Sequence, residues 1–244
     1  MYTRELVQQV IDGSLMNGAK SLLKTLTNNG VDVCFTNPGT SEMHMVAAMG
    51  QSGEMRSILG LFEGVCTGAA DGYGRIAGKP ACTLLHLGPG LSNGSANLHN
   101  ARKANSPMIN LIGDHATYHK KYDAPLNSDV LGLAKPVSDW VRSVADAASL
   151  PGDAADAVVA ANIKPGQIAT LIVPADCAWD ESVDPIGQRE MPSAPRVNGH
   201  SITKAAEMLG NGKPTVILMS NLALTEQSLR FADQVAQHSN ARVF

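Results

Sequence analysis

The chain is poor in aromatic residues, 4% of 244, and no stretch of it approaches the roughly 20 consecutive apolar residues that a membrane span requires. The first residues, MYTRELVQQVIDGSLMNG, lack the basic-then-apolar layout of a secretion signal. A cytoplasmic protein without a membrane partner is therefore expected. Basic runs are also missing: Lys and Arg number 19 against 22 Asp and Glu, a formal net charge of -3, which leaves no electrostatic footprint for nucleic acid. Cys34, Cys66, Cys82 and Cys177 stand far apart with no C-x-x-C pair, so neither a zinc site nor a redox motif is indicated. Each lies in or beside an apolar segment, and buried thiols are expected rather than disulfides.

Several motifs are absent as well. No G-x-G-x-x-G followed by a distant acid, no G-x-x-x-x-G-K-[ST] and no G-x-S-x-G occurs, which disfavours a nicotinamide site, a P-loop and a hydrolase elbow. His115 and His119 have the i, i+4 spacing of two metal ligands on a helix, but without H-E-x-x-H or a third ligand nearby a metal site is disfavoured.

What is present is a 44% hydrophobic chain in which apolar runs and amphipathic stretches alternate. That rhythm signals successive βα units, hence an α/β fold: a mainly parallel sheet with helices on both faces. Strands are expected in VDVCFT, RSILGLF, ACTLLHL, MINLIG and QIATLIVPAD, and GPGLSNG reads as a glycine-rich loop before a helix through ANLHNARKA. Residues 1–185 form the expected first domain, and the polar, proline-marked 186–199 the linker. Residues 200–244 hold one further βα unit and the start of a strand, too little to cover both faces of a sheet. The chain is accordingly expected to be a fragment whose second domain is only begun.

Ligands of open parallel α/β sheets bind beyond the carboxyl ends of the strands. Glu63 falls there, after ILGLF and before the small-residue helix GVCTGAADGYGRIAG. If that strand end is covered, Leu61, Phe62, Val65 and Cys66 would desolvate the acid and make it an exchanger of protons; the plainer alternative is a helix-capping charge. The small helix favours the first, because Gly64, Gly68, Ala69, Ala70, Gly72 and Gly74 admit a ligand or a second backbone closely. Two more glycine turns, NPGT at 37–40 and the one after His86, follow other strands, and His86 could act as an acid or base or merely orient its loop.

FTNPGTSE, LFEGVCTGAADGYGRIAGKPA and LHLGPGLSNGSANLHNARKANSPMINLIGD resemble, in order and spacing, the pyrimidine-binding domain of thiamine-diphosphate-dependent enzymes of the acetolactate synthase, benzoylformate decarboxylase and pyruvate decarboxylase group. The resemblance covers about residues 14–185. It implies that Glu63 hydrogen-bonds N1′ of the cofactor's aminopyrimidine and drives the imino tautomer that deprotonates C2 of the thiazolium, the carbon that attacks a 2-oxo acid. It further implies that Pro38, Gly39, Gly88 and Asn93 line the cofactor, and that His86 exchanges protons with intermediates as in the benzoylformate decarboxylase pattern. Mg²⁺ is implied in a C-terminal domain not contained in these residues, with FAD a further option in the middle domain of synthase-like members. A homodimer or homotetramer through the Glu63 helix is implied too. The implied activity is acetolactate synthase-like decarboxylation or carboligation of a 2-oxo acid; a non-ligating, benzoylformate decarboxylase-like enzyme and a non-catalytic cofactor-binding module are the alternatives. YDAPLNSD departs from the synthase pattern where the second substrate would lie.

Overall fold

The computed structural model describes residues 16–244, so the first 15 residues of the expected first domain lie outside it, and it divides into two units after Ser193. Helix α1 (Gly18–Asn28) starts at Asn17, whose side-chain carbonyl accepts the Lys20 N–H at 3.0 Å, and its buried Leu22, Leu23 and Leu26 recur at helical spacing. The chain leaves it through Gly30 at φ +86°, a left-handed conformation that suits glycine. There follow β1 (Val33–Asn37), α2 (Met43–Ser52), β2 (Arg56–Leu59), α3 (Glu63–Ala77), β3 (Ala81–His86), α4 (Leu87–Lys103) and β4 (Met108–Asp114). The unit is completed by α5 (Val130–Ala134), β5 (Trp140–Ser143), α6 (Leu150–Ala161), β6 (Ile168–Pro174) and α7 (Ala175–Trp179).

The six strands form one wholly parallel sheet in the order β2-β1-β3-β4-β6-β5. Strands β4 and β6 are buried along their whole length, as an apolar strand covered on both faces must be. One core cluster joins Cys34, Leu84, Leu111 and Leu171 to α1, α2 and α6; the other joins Leu85, Ile112 and Ile172 to α3, α4 and α5. The expected α/β fold with helices on both faces is observed, and all four cysteines are free and buried.

Two segments differ from the sequence reading. GPGLSNG is not a loop: α4 is one 17-residue helix that begins directly after His86. Pro89 sits in its first turn, where a missing N–H costs nothing, and Gly94 lets α4 lie against α3. Thr67 Oγ1 donates to Gly94 O at 3.0 Å, and a Cβ on Gly94 would stand 2.8 Å from the Thr67 methyl. Close packing thus outweighs the poor helix propensity of glycine. The second difference concerns the polar stretch after Trp179, whose first part is fastened along α1. Ser21 Oγ donates to Val183 O (2.8 Å), Ile186 N donates to Thr25 Oγ1 (2.9 Å) and Arg189 N to Asn29 Oδ1 (2.8 Å). Met191 packs on the first core.

The second unit holds α8 (Gly199–Leu209), β7 (Val216–Ile217), α9 (Glu226–Ser239) and β8 (Arg242–Val243), with β7 and β8 paired in parallel. No residue of α8 or α9 is buried. Among the described residues no helix is long and apolar enough to cross a membrane.

A polar row crosses the middle of the sheet. Thr83 Oγ1 donates to Asn110 Oδ1 (2.9 Å), Asn110 Nδ2 donates to Thr170 Oγ1 (3.0 Å), and Ser138 Oγ lies 2.6 Å from that hydroxyl, all in the interior. These bonds are satisfied together only when β3, β4 and β6 are in register. Asn110→Ala should therefore cost about 1–3 kcal/mol in urea unfolding, because it orphans the buried Thr83 hydroxyl and takes one of two partners from Thr170. A loss below about 0.5 kcal/mol, that of an ordinary surface change, would show that the row contributes nothing to stability.

Candidate functional site

The strand order reverses between β1 and β3, so the connections leaving these neighbours diverge and open a crevice at their carboxyl ends. Three junctions meet there. β1 runs into Pro38, Gly39 and a short 3-10 turn, Thr40–Glu42; β3 ends on His86; β2 leads through Gly60 to Glu63. Asn37 ties the first to the third, its Nδ2 donating to Gly60 O at 2.8 Å, while Gly60 N donates to Thr36 O at 3.0 Å.

The most constrained group in the crevice is one that the sequence reading did not single out. Glu42 is 0% exposed. Its Oε2 accepts the Gly39 N–H at 2.6 Å and lies 2.9 Å from His86 Nδ1, whereas Oε1 is buried with no hydrogen-bond partner among the described residues. Burial pushes its pKa up, and the Gly39 N–H and His86 pull against that shift. Two glycines make room for the pair. A Cβ on Gly39 would fall 2.4 Å from His86 Nδ1, and one on Gly113 would fall 1.6 Å from Glu42 Oε1. The junction after His86 is strained, since Leu87 is a buried non-glycine residue at φ +51°. The available signal was the acid three residues after Gly39, a capping-box spacing directly behind a strand-end turn.

His86 is one-fifth exposed and lines a cavity of about 350 Å³ with Thr40, Ser41, His115, His119 and Trp179. The loop forming its far wall is pinned at two acids. Buried Asp114 pairs with Lys120 at 2.6 Å and accepts the His115 N–H, and Asp176 accepts the Thr117 N–H at 3.0 Å. His115 Nε2 donates to Pro125 O at 3.1 Å, and its ring meets that of His119 edge-on with centroids 5.5 Å apart. The two histidines lie outside any α-helix, and among the described residues no group of three His, Cys, Asp or Glu could hold a metal.

Glu63 is the first residue of α3 and is half-buried. Asn93 Nδ2, from α4, donates to Glu63 Oε2 at 3.0 Å, and Asn97 Nδ2 donates to Gly64 O at 2.6 Å, so the helix pair holds the acid in place. The structure thus brings Glu63 and Asn93 together, and Gly39 and His86 together. Pro38 sits half-buried in the turn before Gly39, and Gly88 packs on the loop before α5, where a Cβ would fall 2.3 Å from Ser128 Oγ. The apolar cover expected around Glu63 is not provided by this chain: only Cys66 is buried, while Leu61, Phe62 and Val65 are 91%, 51% and 58% exposed.

The small residues of α3 divide by face. Gly68 packs on Asn97 of α4 and Gly74 on the Pro107 carbonyl, whereas Gly72 has open space before it. Val65, Gly72 and Ile76 form an exposed stripe along the outer side. The far end is locked by its polar residues: Arg75 pairs with Asp71 at 2.6 Å, Ser106 Oγ donates to Asp71, and Tyr73 OH donates to Asp32 at 2.8 Å. Lys79 on Asp32 holds that carboxyl below its usual range, with Tyr73 adding to the effect.

A carboxyl at a helix start, an amide that orients it and bare aromatic and aliphatic side chains beside it fit a flat heterocycle with ring-nitrogen and amino groups. The model of the N-terminal thiamine pyrophosphate binding domain of thiamine pyrophosphate enzymes matches residues 16–133. A Mycobacterium tuberculosis protein, provisionally named acetolactate synthase large subunit IlvX, is 51% identical over 227 residues, 93% of this chain and 44% of its own. Benzoylformate decarboxylase of Pseudomonas aeruginosa is 28% identical over 80% of this chain and 37% of its own. In structure, the thiamine diphosphate-dependent 4-hydroxybenzoylformate decarboxylase of Rhodococcus jostii RHA1 superposes with a TM-score of 0.84 at 25% identity, over 93% of this chain and 44% of that one. The chain spans less than half the length of these relatives.

Gly39→Ala tests the packing of the crevice. The new methyl would overlap the His86 ring, and a loss of about 1–3 kcal/mol in thermal or urea unfolding is expected. Wild-type stability would mean that the turn yields without strain.

Proposed function

Because the chain belongs to the thiamine-diphosphate-dependent enzymes, we propose that it supplies the cofactor-activating side of an active site for decarboxylation or carboligation of a 2-oxo acid. When bound, thiamine diphosphate supplies a carbon nucleophile at C2 and an electron sink for the departing carbon dioxide. The chain's own residues act around it. Glu63 offers its carboxyl to the pyrimidine ring and holds a proton there, Asn93 fixes the direction of that carboxyl, and Pro38, Gly39 and Gly88 shape the turns against which the ring rests. His86, in the cavity lining, exchanges protons with the substrate. The observation that carries this reading is the Glu63–Asn93 pair held by two helices at the crevice beside the switch point.

Mg²⁺ is proposed to reach the cofactor's diphosphate through ligands outside the described residues. FAD remains an option that no described residue singles out. A second copy of the chain is the proposed cover for Glu63: the exposed Leu61, Phe62 and Val65 adjoin the stripe through Gly72 to Ile76, and a helix without bulk at its centre admits another closely. This interface serves a homodimer or a homotetramer. Covering it would desolvate the acid and strengthen its hydrogen bonds.

The acetolactate synthase-like reading rests on the Mycobacterium tuberculosis relative. A benzoylformate decarboxylase-like, non-ligating enzyme is the second reading, favoured by the imidazole at position 86 and by Tyr118 and Trp179 in the cavity wall, which suit an aromatic 2-oxo acid.

Glu63→Gln in the assembled protein should keep the circular dichroism spectrum and slow C2–H exchange of bound thiamine diphosphate, followed by NMR, by about 100-fold or more. Unchanged exchange would overturn the role of Glu63. Val65→Asp should shift the protein toward monomer in analytical ultracentrifugation without unfolding it; an unaltered sedimentation profile would place the interface elsewhere.

A further inference from the structure

We propose that Glu42 is a positioning residue that fixes the tautomer of His86, with the ring proton on Nδ1 facing the buried carboxyl and the Nε2 lone pair left for the cavity. The argument starts from what each atom can do. A backbone N–H can only donate, so Glu42 Oε2, 2.6 Å from Gly39 N, is an acceptor, and a carbonyl-type or anionic oxygen accepts so short a bond far better than a hydroxyl does. The same oxygen lies 2.9 Å from His86 Nδ1, and one proton must occupy that contact. With Oε2 committed as acceptor, the proton sits on the imidazole. Any proton that burial forces onto Glu42 then belongs on Oε1, the oxygen without a partner.

The surroundings leave the pair no other geometry. The His86 ring fills the space where Gly39 lacks a side chain, Gly113 is bare where Oε1 lies, and Leu87 at φ +51° sets the strand-to-helix turn behind the ring. Nε2 of His86 makes no hydrogen bond among the described residues, and the ring lines the 350 Å³ cavity. His86 thus presents a proton acceptor to whatever occupies that space, although free imidazole in water favours the opposite tautomer. The inference rests on the proposed function only for what the cavity holds. The tautomer belongs to the chain itself.

The test is a long-range ¹H–¹⁵N correlation spectrum of the full chain labelled with ¹⁵N-histidine, which separates Nδ1–H from Nε2–H rings; His86 is assigned by its disappearance in His86→Asn. Wild type should show the Nδ1–H pattern at neutral pH. Glu42→Gln keeps an acceptor oxygen at the same point and should retain it. Glu42→Leu keeps much of the volume but removes the acceptor, and should lose the Nδ1–H pattern in favour of Nε2–H. A role limited to shaping the turn would leave the tautomer alike in all three. An Nε2–H ring in wild type, or an Nδ1–H ring surviving in Glu42→Leu, overturns the proposal; should the leucine variant not fold, the wild-type spectrum decides alone. Unchanged cofactor exchange in Glu63→Gln would overturn the proposed role of Glu63 while leaving this result standing.

Discussion

A buried carboxyl group organises the crevice. Glu42 gives one oxygen to both the Gly39 N–H and the His86 ring, and its other oxygen to nothing among the described residues. Burying an incompletely paired acid is costly, and it persists only where the surrounding structure over-determines it. Here the determination comes from three directions: a turn closed onto the carboxyl, a strand end that presents the imidazole, and a neighbouring strand that offers glycine where any side chain would collide. The parallel sheet is what brings these together, because the reversal of strand order sets the ends of β1 and β3 side by side with their connections leading apart.

Much of this was legible in the sequence. Alternating apolar and amphipathic segments specified parallel βα units, and the positions of Glu63 and His86 behind apolar runs placed both at strand ends. Glu42 was overlooked because an acid among NPGTSEM looks like an ordinary helix-start charge, and its burial depends on His86 and Gly113, which are distant in sequence. GPGLSNG was misread for a related reason. Glycine and proline mark loops by their local preferences, and only the partner helix, with Thr67 reaching Gly94, reveals that the missing side chains serve contact. The fastening after Trp179 escaped notice because it uses Ser21 and Thr25, polar residues on a helix face that periodicity counts as interruptions.

The two acids of the crevice also differ in what completes them. Glu42 is closed off by its own chain, whereas Glu63 stands among exposed Leu61, Phe62 and Val65. The small residues of α3 serve both conditions: those facing α4 are consumed by internal packing, and those facing outward leave a shallow track. Under the proposed assembly a second copy would complete Glu63, so that proton handling at that acid would depend on association, whereas the Glu42–His86 pair is closed within one chain.

The bonds from Val183 to Arg189 lie in a row along α1 and would meet a mechanical load one after another. Tension arriving from beyond Ser193 would first strain Arg189 against Asn29, then Ile186 against Thr25, and last Val183 against Ser21. The tail is thus moored in steps, and losing the outermost bond leaves the two nearer the start of the helix in place.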